Sequence, residues 1–275
     1  MAFSNDAFDR VIRGAIRREL SPRMVINPIV NRDLVEGSFE EPDDTVELIE
    51  TDTMSVSEYN GGFTGSIQDL KGETTQITAD LRNGFRFKVD ETDSASQVAD
   101  AIAQQDGISN LLTAAQEYVF GLYDGADLQV TYDPSSDDIT SVFSELATKM
   151  DNANAPEAGR WAALPPRAYH DIAEDLEVRD TALGDEVITG PGFGGVYKGF
   201  SVFRTNVSHF TQTGSSPAYD HGMAGYPGSI AYDDALLRIK RVDAESFLGQ
   251  VVQGVHVGGG VVARPEATVD FRVKA

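Results

Sequence analysis

A chain of 275 residues with 41% hydrophobic content and no cysteine can bury a real core, but it can form neither a disulfide nor a thiolate metal site. Its formal net charge of −22, from 27 Asp and 17 Glu against 6 Lys and 16 Arg, repels nucleic acid and anionic membranes, which excludes non-specific binding to either by the surface as a whole. No window approaches the run of about 18 apolar residues that spans a bilayer, and the N-terminus lacks the apolar stretch of a signal peptide, so an intracellular, soluble protein is expected.

The charge is unevenly spread. Residues 1–32 hold Arg10, Arg13, Arg17, Arg18, Arg23 and Arg32 against three acids, a net of +3, which leaves −25 for the rest. A basic arm precedes an acidic body. An Asp-rich, Lys-poor body suits a salt-filled cell interior, where the Debye length falls to about 3 Å near 1 M; the plainer alternative is an ordinary acidic protein of a mesophile.

Asn5 can cap a first helix, with Asp6 and Asp9 in its first turn and Pro22 just past its end. Phe8, Val11, Ile12, Ala15 and Ile16 share one face and the arginines mostly the other, so the helix docks on its own domain, a neighbour or a partner. Between "DDTVELIE" and "FRFKVDE" runs a polar segment, 51–81, with strand-like stretches around Tyr59, Gly61, Gly62 and Phe63, and with Lys71 further along. A two-stranded ribbon with two polar faces is marginal alone in water, so its order has to come from contacts outside itself.

A long helix is predicted from Ser94 or Ser96, because Val98, Ala101, Gln105, Ile108, Leu112, Ala115, Val119 and Leu122 recur in steps of three and four along about 40 Å. Gly107 and the alanines in the seam favour packing on a sheet over a coiled coil. After the turn "YDPSSDD", Ile139 to Asn152 reads as an amphipathic helix with Val142, Phe143, Leu146 and Met150 inward. Asn154-Ala155-Pro156 breaks it, Trp161 to Leu164 is a short buried strand, and Pro165-Pro166 opens a helix from Arg167 to Leu176. Strands follow around "GFSVFRTN", "GSIAYDDALLRIKRV", "QGVHVGGGVVARP" and "TVDFRV". No internal repeat is present, and the class is α+β.

Catalytic and ligand-binding patterns are weak. "GPGFGG", Gly190 to Gly195, matches GxGxxG, but a strand follows it where a dinucleotide fold needs a helix. His170 and Glu174 stand four apart on a helix, yet no HExxH accompanies them, and they read as solvated face residues. Asp133 to Asp138 lacks the ligand spacing and glycine of an EF-hand loop. No GxSxG elbow or Walker loop occurs. The expectation is no enzyme, no metal and no cofactor.

The order of these pieces resembles a major capsid protein of tailed double-stranded DNA viruses, the fold first seen in the Hong Kong 97 phage. "NAPEAGRWAALPPRAYHDI" is similar to that family's axial-domain motif, through Pro156, Gly159, Arg160, Trp161, Pro165, Pro166 and Tyr169. "GGVYKGFSVFRTN" looks like its strand pair, "YPGSIAYDDALLRIKRVDAESF" like its return strand, and "VQGVHVGGGVVARPEATVDFRV" like its final sheet. "DDTVELIE" and "FRFKVDETDSASQ" fit the two bases of its extended loop.

The resemblance covers nearly the whole chain and implies five parts: an N-terminal arm (1–35), an extended β-ribbon loop with its base strands (36–92), a peripheral domain with a spine helix (93–130), an axial domain (131–245) and a return to the peripheral sheet (246–275). It implies self-assembly into hexamers and pentamers of an icosahedral shell enclosing double-stranded DNA without sequence-specific binding. Scaffold, portal and decoration proteins are the further partners, the virion the location, and the host cytoplasm the place of assembly. Assembly contacts would then fall to Arg10, Arg13, Arg17, Arg18, Tyr59, Gly61, Gly62, Phe63 and Lys71. Some relatives crosslink through a loop lysine; Lys71 lies in the right ribbon but has no paired motif, and its plain role is a solubilising charge. The acidic composition points to a virus of haloarchaea. An encapsulin-type shell around cargo protein is the alternative within the fold, and an acidic enzyme with an unrecognised site the alternative outside it.

Overall fold

The computed structural model describes residues 25–39, 41, 43–48, 75–90, 109–180, 193–205, 209–211, 218–243 and 249–274. The predicted first helix, the ribbon around Tyr59 to Lys71 and the first half of the long helix lie outside the described residues. In chain order the elements are β1 (Val35–Glu36), β2 (Thr45–Leu48), β3 (Thr75–Thr78), β4 (Leu81–Asp90), α1 (Ser109–Gly121), a 3-10 turn (Leu122–Gly125) and β5 (Leu128–Tyr132). Then come α2 (Ile139–Asn152), β6 (Trp161–Leu164), α3 (Pro166–Asp180), β7 (Phe193–Tyr197), β8 (Phe200–Arg204), β9 (His209–Thr211), β10 (Tyr219–Gly225), β11 (Ile230–Asp243), β12 (Gly249–Val262) and β13 (Val269–Lys274).

The strands form three sheets. The large one has the order β5-β13-β10-β6-β8-β7, with β9 also paired to β10; its β5–β13 and β6–β8 pairs are parallel. Both of its faces are covered, so its central strands are apolar on both sides. Along β6, Ala162 and Leu164 join the core under α2 and α3, whereas Trp161 and Ala163 join the one under α1. Met223 and Ala224 of β10 divide in the same way, as do Phe203 and Val202 of β8.

The helices follow from their patterns. Asp138 caps α2 by accepting a bond from the Thr140 backbone N–H at 3.2 Å, and Ile139, Val142, Phe143, Leu146 and Met150 are buried, as the periodicity predicts. In α1, Leu111, Ala115, Val119 and Phe120 pack into a core with residues of β4, β6, β8, β10, β11 and β12, so the described part of this helix lies on sheet residues.

β11 and β12 form a long hairpin with β4 added beside β12, in the order β11-β12-β4. Period-two alternation splits it cleanly. Ile230, Tyr232, Val252 and Val262 face the α1 core, whereas Ala231 and Val257, with Ala235, Val255 and Val261, face the small β1-β2-β3 sheet. Val46, Leu48 and Ile77 of that sheet complete the contact. Gly259 allows it, because a Cβ there would stand 2.3 Å from the Thr78 carbonyl oxygen.

Three packing details go beyond the sequence reading. The end of the polar ribbon gains its order outside itself, as expected, and within the same subunit: Ile77 of β3 and Ala79, 2% and 0% exposed, pack with Ala231 and Val257 of the hairpin. The described end of the basic arm is body as well: Ile26 and Ile29 are fully buried beside α1, and Asn31 bridges Ala231. Strand pairing also joins segments that lie far apart in the chain. β11 belongs with β12 and β4, and β13 belongs with β5, β10 and β6 in the large sheet, because each strand's buried face matches that core.

Candidate functional site

The segment joining α2 to β6 is a corner tied by one arginine. α2 ends in the usual way for a helix with a left-handed residue beyond its C-terminus: Asn154 has φ 55, and the Ala155 N–H donates to the Met150 carbonyl at 3.0 Å. The Arg160 side chain, 6% exposed, folds back under this turn. Its Nε donates to the Pro156 carbonyl at 3.0 Å, and its Nη2 to the Ala155 carbonyl at 2.7 Å and the Asp151 carboxylate at 2.7 Å. A guanidinium here satisfies carbonyls that the helix end and the proline leave without amide donors, and its charge complements the negative end of the helix dipole. The same group lies over the Phe200 ring at 6.0 Å.

Gly159 makes the turn possible. Its φ is +74, and a Cβ would stand 3.0 Å from Pro227 Cγ. Gly159→Ala is therefore expected to destabilise the subunit by about 1–2 kcal/mol through left-handed strain and crowding. A urea midpoint unchanged from the parent would show that the turn relaxes freely.

Trp161 then enters the sheet 1% exposed, with its partner strand close against it: a Cβ on Gly225 would lie 2.9 Å from the indole. Pro165 closes the strand. It is buried, its carbonyl accepts the Tyr169 N–H at 3.2 Å, and a Cβ on Gly222 would meet its Cδ at 2.9 Å. Pro166 opens α3, where its missing N–H costs nothing. Tyr169 packs on the α2–α3 core beneath the Arg204 guanidinium, 5.7 Å from its ring. The seven motif residues thus flank one strand, with Pro156, Gly159, Arg160 and Trp161 at the start of β6 and Pro165, Pro166 and Tyr169 beyond its end. In the structure this segment is a folding element, built round a buried strand.

Among the described residues two further charged clusters, one buried and one partly exposed, have structural roles. His221 Nδ1 lies 2.8 Å from the Asp270 carboxylate, which also accepts from Arg272 Nε at 2.6 Å, while the imidazole stacks on Tyr123 at 4.0 Å. Arg32 pairs with Asp233 at 3.2 Å and Asp234 at 2.5 Å, and Asp234 meets His256 Nε2 at 2.9 Å. Burial pushes the Asp234 carboxyl upward, but the His256 hydrogen bond and the Arg32 charge outweigh it and hold the group below its usual range. These partners, some 200 positions apart in the chain, were missed in the sequence, which carries no local signal for them. Their effect is to fasten residues 25–35 onto the β11–β12 hairpin.

The weaker sequence patterns settle into structural roles. His170 and Glu174 are exposed on α3. In the acidic loop, Asp133 accepts from Ser135 and pairs with Lys274, whose hydrogen bond is the main reason its carboxyl is lowered to about 2, and Asp138 is the cap already described. Phe193 to Tyr197, at the end of the glycine-rich match, is a strand. Among the described residues no three His, Cys, Asp or Glu side chains are grouped to hold a metal ion, and no helix is long and apolar enough to cross a membrane. Arg10, Arg13, Arg17, Arg18, Tyr59, Gly61, Gly62, Phe63 and Lys71 lie outside the described residues.

No family model and no curated protein matches the sequence. Solved structures do. A chain from Mycobacterium phage Che8 superposes with a TM-score of 0.60 at 18% identity over 90% of each chain. The capsid of Ralstonia phage GP4 gives 0.60 at 12% identity over 93% of this chain and 90% of that one. A virus-like particle from Pyrococcus furiosus gives 0.52 at 13% over 97% and 98%. The chain has the Hong Kong 97-type capsid fold.

Proposed function

We propose that this chain is the major capsid protein of a tailed double-stranded DNA virus, assembling as hexamers and pentamers into an icosahedral shell around the genome. The observation that carries the reading is coverage: the likeness to the phage GP4 capsid spans 93% of this chain and 90% of that one, so a shell subunit accounts for nearly every element. On this reading α1 belongs to the spine helix of the peripheral domain, and the large sheet with the Arg160 corner belongs to the axial domain. Arg10, Arg13, Arg17 and Arg18 of the arm contact a neighbour's acidic face, a scaffold or packaged DNA. Tyr59, Gly61, Gly62, Phe63 and Lys71 of the ribbon reach a neighbouring subunit. The Asp-rich surface suits a virus of a haloarchaeal host.

The expressed chain is expected to form closed shells visible by electron microscopy. Deleting Tyr59 to Glu73 should leave a folded, soluble subunit that forms none, since a two-sided polar ribbon gains order only against other molecules. Normal shells from the deletion would remove the ribbon from the interface. A second reading, a cellular shell around cargo protein, is favoured by the likeness to the Pyrococcus furiosus virus-like particle over 97% of this chain. The contents of native particles separate the two: DNA and a portal vertex, or protein.

A further inference from the structure

Among the described residues, the outer face of the β4-β12-β11 sheet is covered over only part of its length. At one end Ala231, Ala235, Val255 and Val257 lie under the small sheet. Toward the other end the register sets Lys88 beside Val251 and Val251 beside Val242, with Arg86 beside Gln253 in the next row of that face. Arg86 and Lys88 are exposed, and Val242 is 47% exposed, one of two large hydrophobics so open among the described residues. A valine pair edged by cations, on a body carrying −25, has the make-up of a contact surface.

The small sheet presents the opposite charge. Glu36 of β1 and Glu47 of β2 stand directly across from one another on its exposed side. Like charges so placed weaken a strand pair. No Lys or Arg stands between Arg32 and Lys71 to relieve them locally.

We propose that these two faces meet between copies of the chain: Glu36 and Glu47 of one subunit lie over Arg86 and Lys88 of the next, beside the Val242–Val251 strip. The neighbour's small sheet then continues the cover that each subunit's own small sheet begins. Because the two patches differ, the contact is head-to-tail and closes into a ring when the rotation suits. This rests on the shell reading above. Nucleic acid fits less well, since two cations give few phosphate contacts and DNA offers no apolar surface to the valines.

The test uses full-length chains at the lowest salt that preserves parent shells. Arg86→Glu with Lys88→Glu, and separately Glu36→Lys with Glu47→Lys, should each reduce shell yield roughly tenfold or more, and all four changes in one chain should restore it. A second measurement needs no shell. The chain has no cysteine, so Glu47→Cys and Arg86→Cys on separate chains should be joined by a short bismaleimide when mixed, and neither chain when alone. Parent-level shells from both double variants, without crosslinking, overturn this interface and leave the shell reading intact. A chain that stays monomeric at every concentration overturns both. Nucleic acid retained by the parent and lost on Arg86→Glu assigns the face to DNA and overturns the proposal.

Discussion

Arg160→Ala is expected to destabilise the isolated subunit by about 3–4 kcal/mol, read as a lower urea midpoint at unchanged slope. The side chain is 6% exposed and donates at 2.7–3.0 Å to the Ala155 and Pro156 carbonyls and to Asp151. Each bond from a charged donor is worth about 1.5–3 kcal/mol, and stranding the carbonyls in the interior adds their desolvation cost. The Asp151 pair adds less, because its carboxylate is 55% exposed and screened by water. Arg160→Lys should recover only part of the loss, since an ammonium on a flexible stem cannot reproduce the fork that reaches two carbonyls and a carboxylate. A loss below about 1 kcal/mol for the alanine variant, or full recovery by lysine, would show that the corner is held by something other than this arginine.

Shells are expected to be most stable in molar salt and to loosen or dissociate on dilution into millimolar buffer. Each subunit brings a net charge of −22, and a shell sets many such subunits in contact. At 0.01 M the Debye length is about 30 Å, so the like charges repel across every interface; near 1 M it is about 3 Å, and only charges in contact still interact. Burial of apolar surface, strengthened by salt, then decides the outcome. The few complementary charges at the proposed Glu36/Glu47 and Arg86/Lys88 contact act at short range and survive that screening. Light scattering through a salt dilution series gives the result. Equal stability at low and molar salt would remove the haloarchaeal reading while leaving the capsid reading untouched.

Several elements were legible because their signal is local. α2 runs from Ile139 to Asn152 as predicted, since Asp138 can cap it and its apolar residues fall on one face. β6 runs from Trp161 to Leu164 because a glycine turn and two prolines bound an all-apolar stretch. α3 begins at Pro166, one residue before the prediction, because proline is at home in a first turn. β5 was passed over although Leu128, Val130 and Tyr132 alternate as a strand should. The resemblance rested on the order of such pieces, and it anticipated the capsid fold.

β10 shows where local reading stops. "YDHGMAG" has two glycines, an aspartate and a histidine, and no alternation marks it as a strand, yet it lies at the centre of the large sheet between β13 and β6. It does so because Gly222 and Gly225 let β6 approach closer than any side chain would allow, and because His221 finds Asp270 some fifty positions later. The sequence by itself determined the span of α2, the proline corner, the buried strand and the separation of basic arm from acidic body, since each depends on neighbours within a few residues. Only the tertiary structure decided which strands share a sheet, that residues 25–35 belong to the body through Arg32 and Asp234, and that Val242 on one sheet face is left exposed. Those outcomes depend on backbones approaching and charges pairing across 40 to 200 positions, where composition and periodicity carry no information.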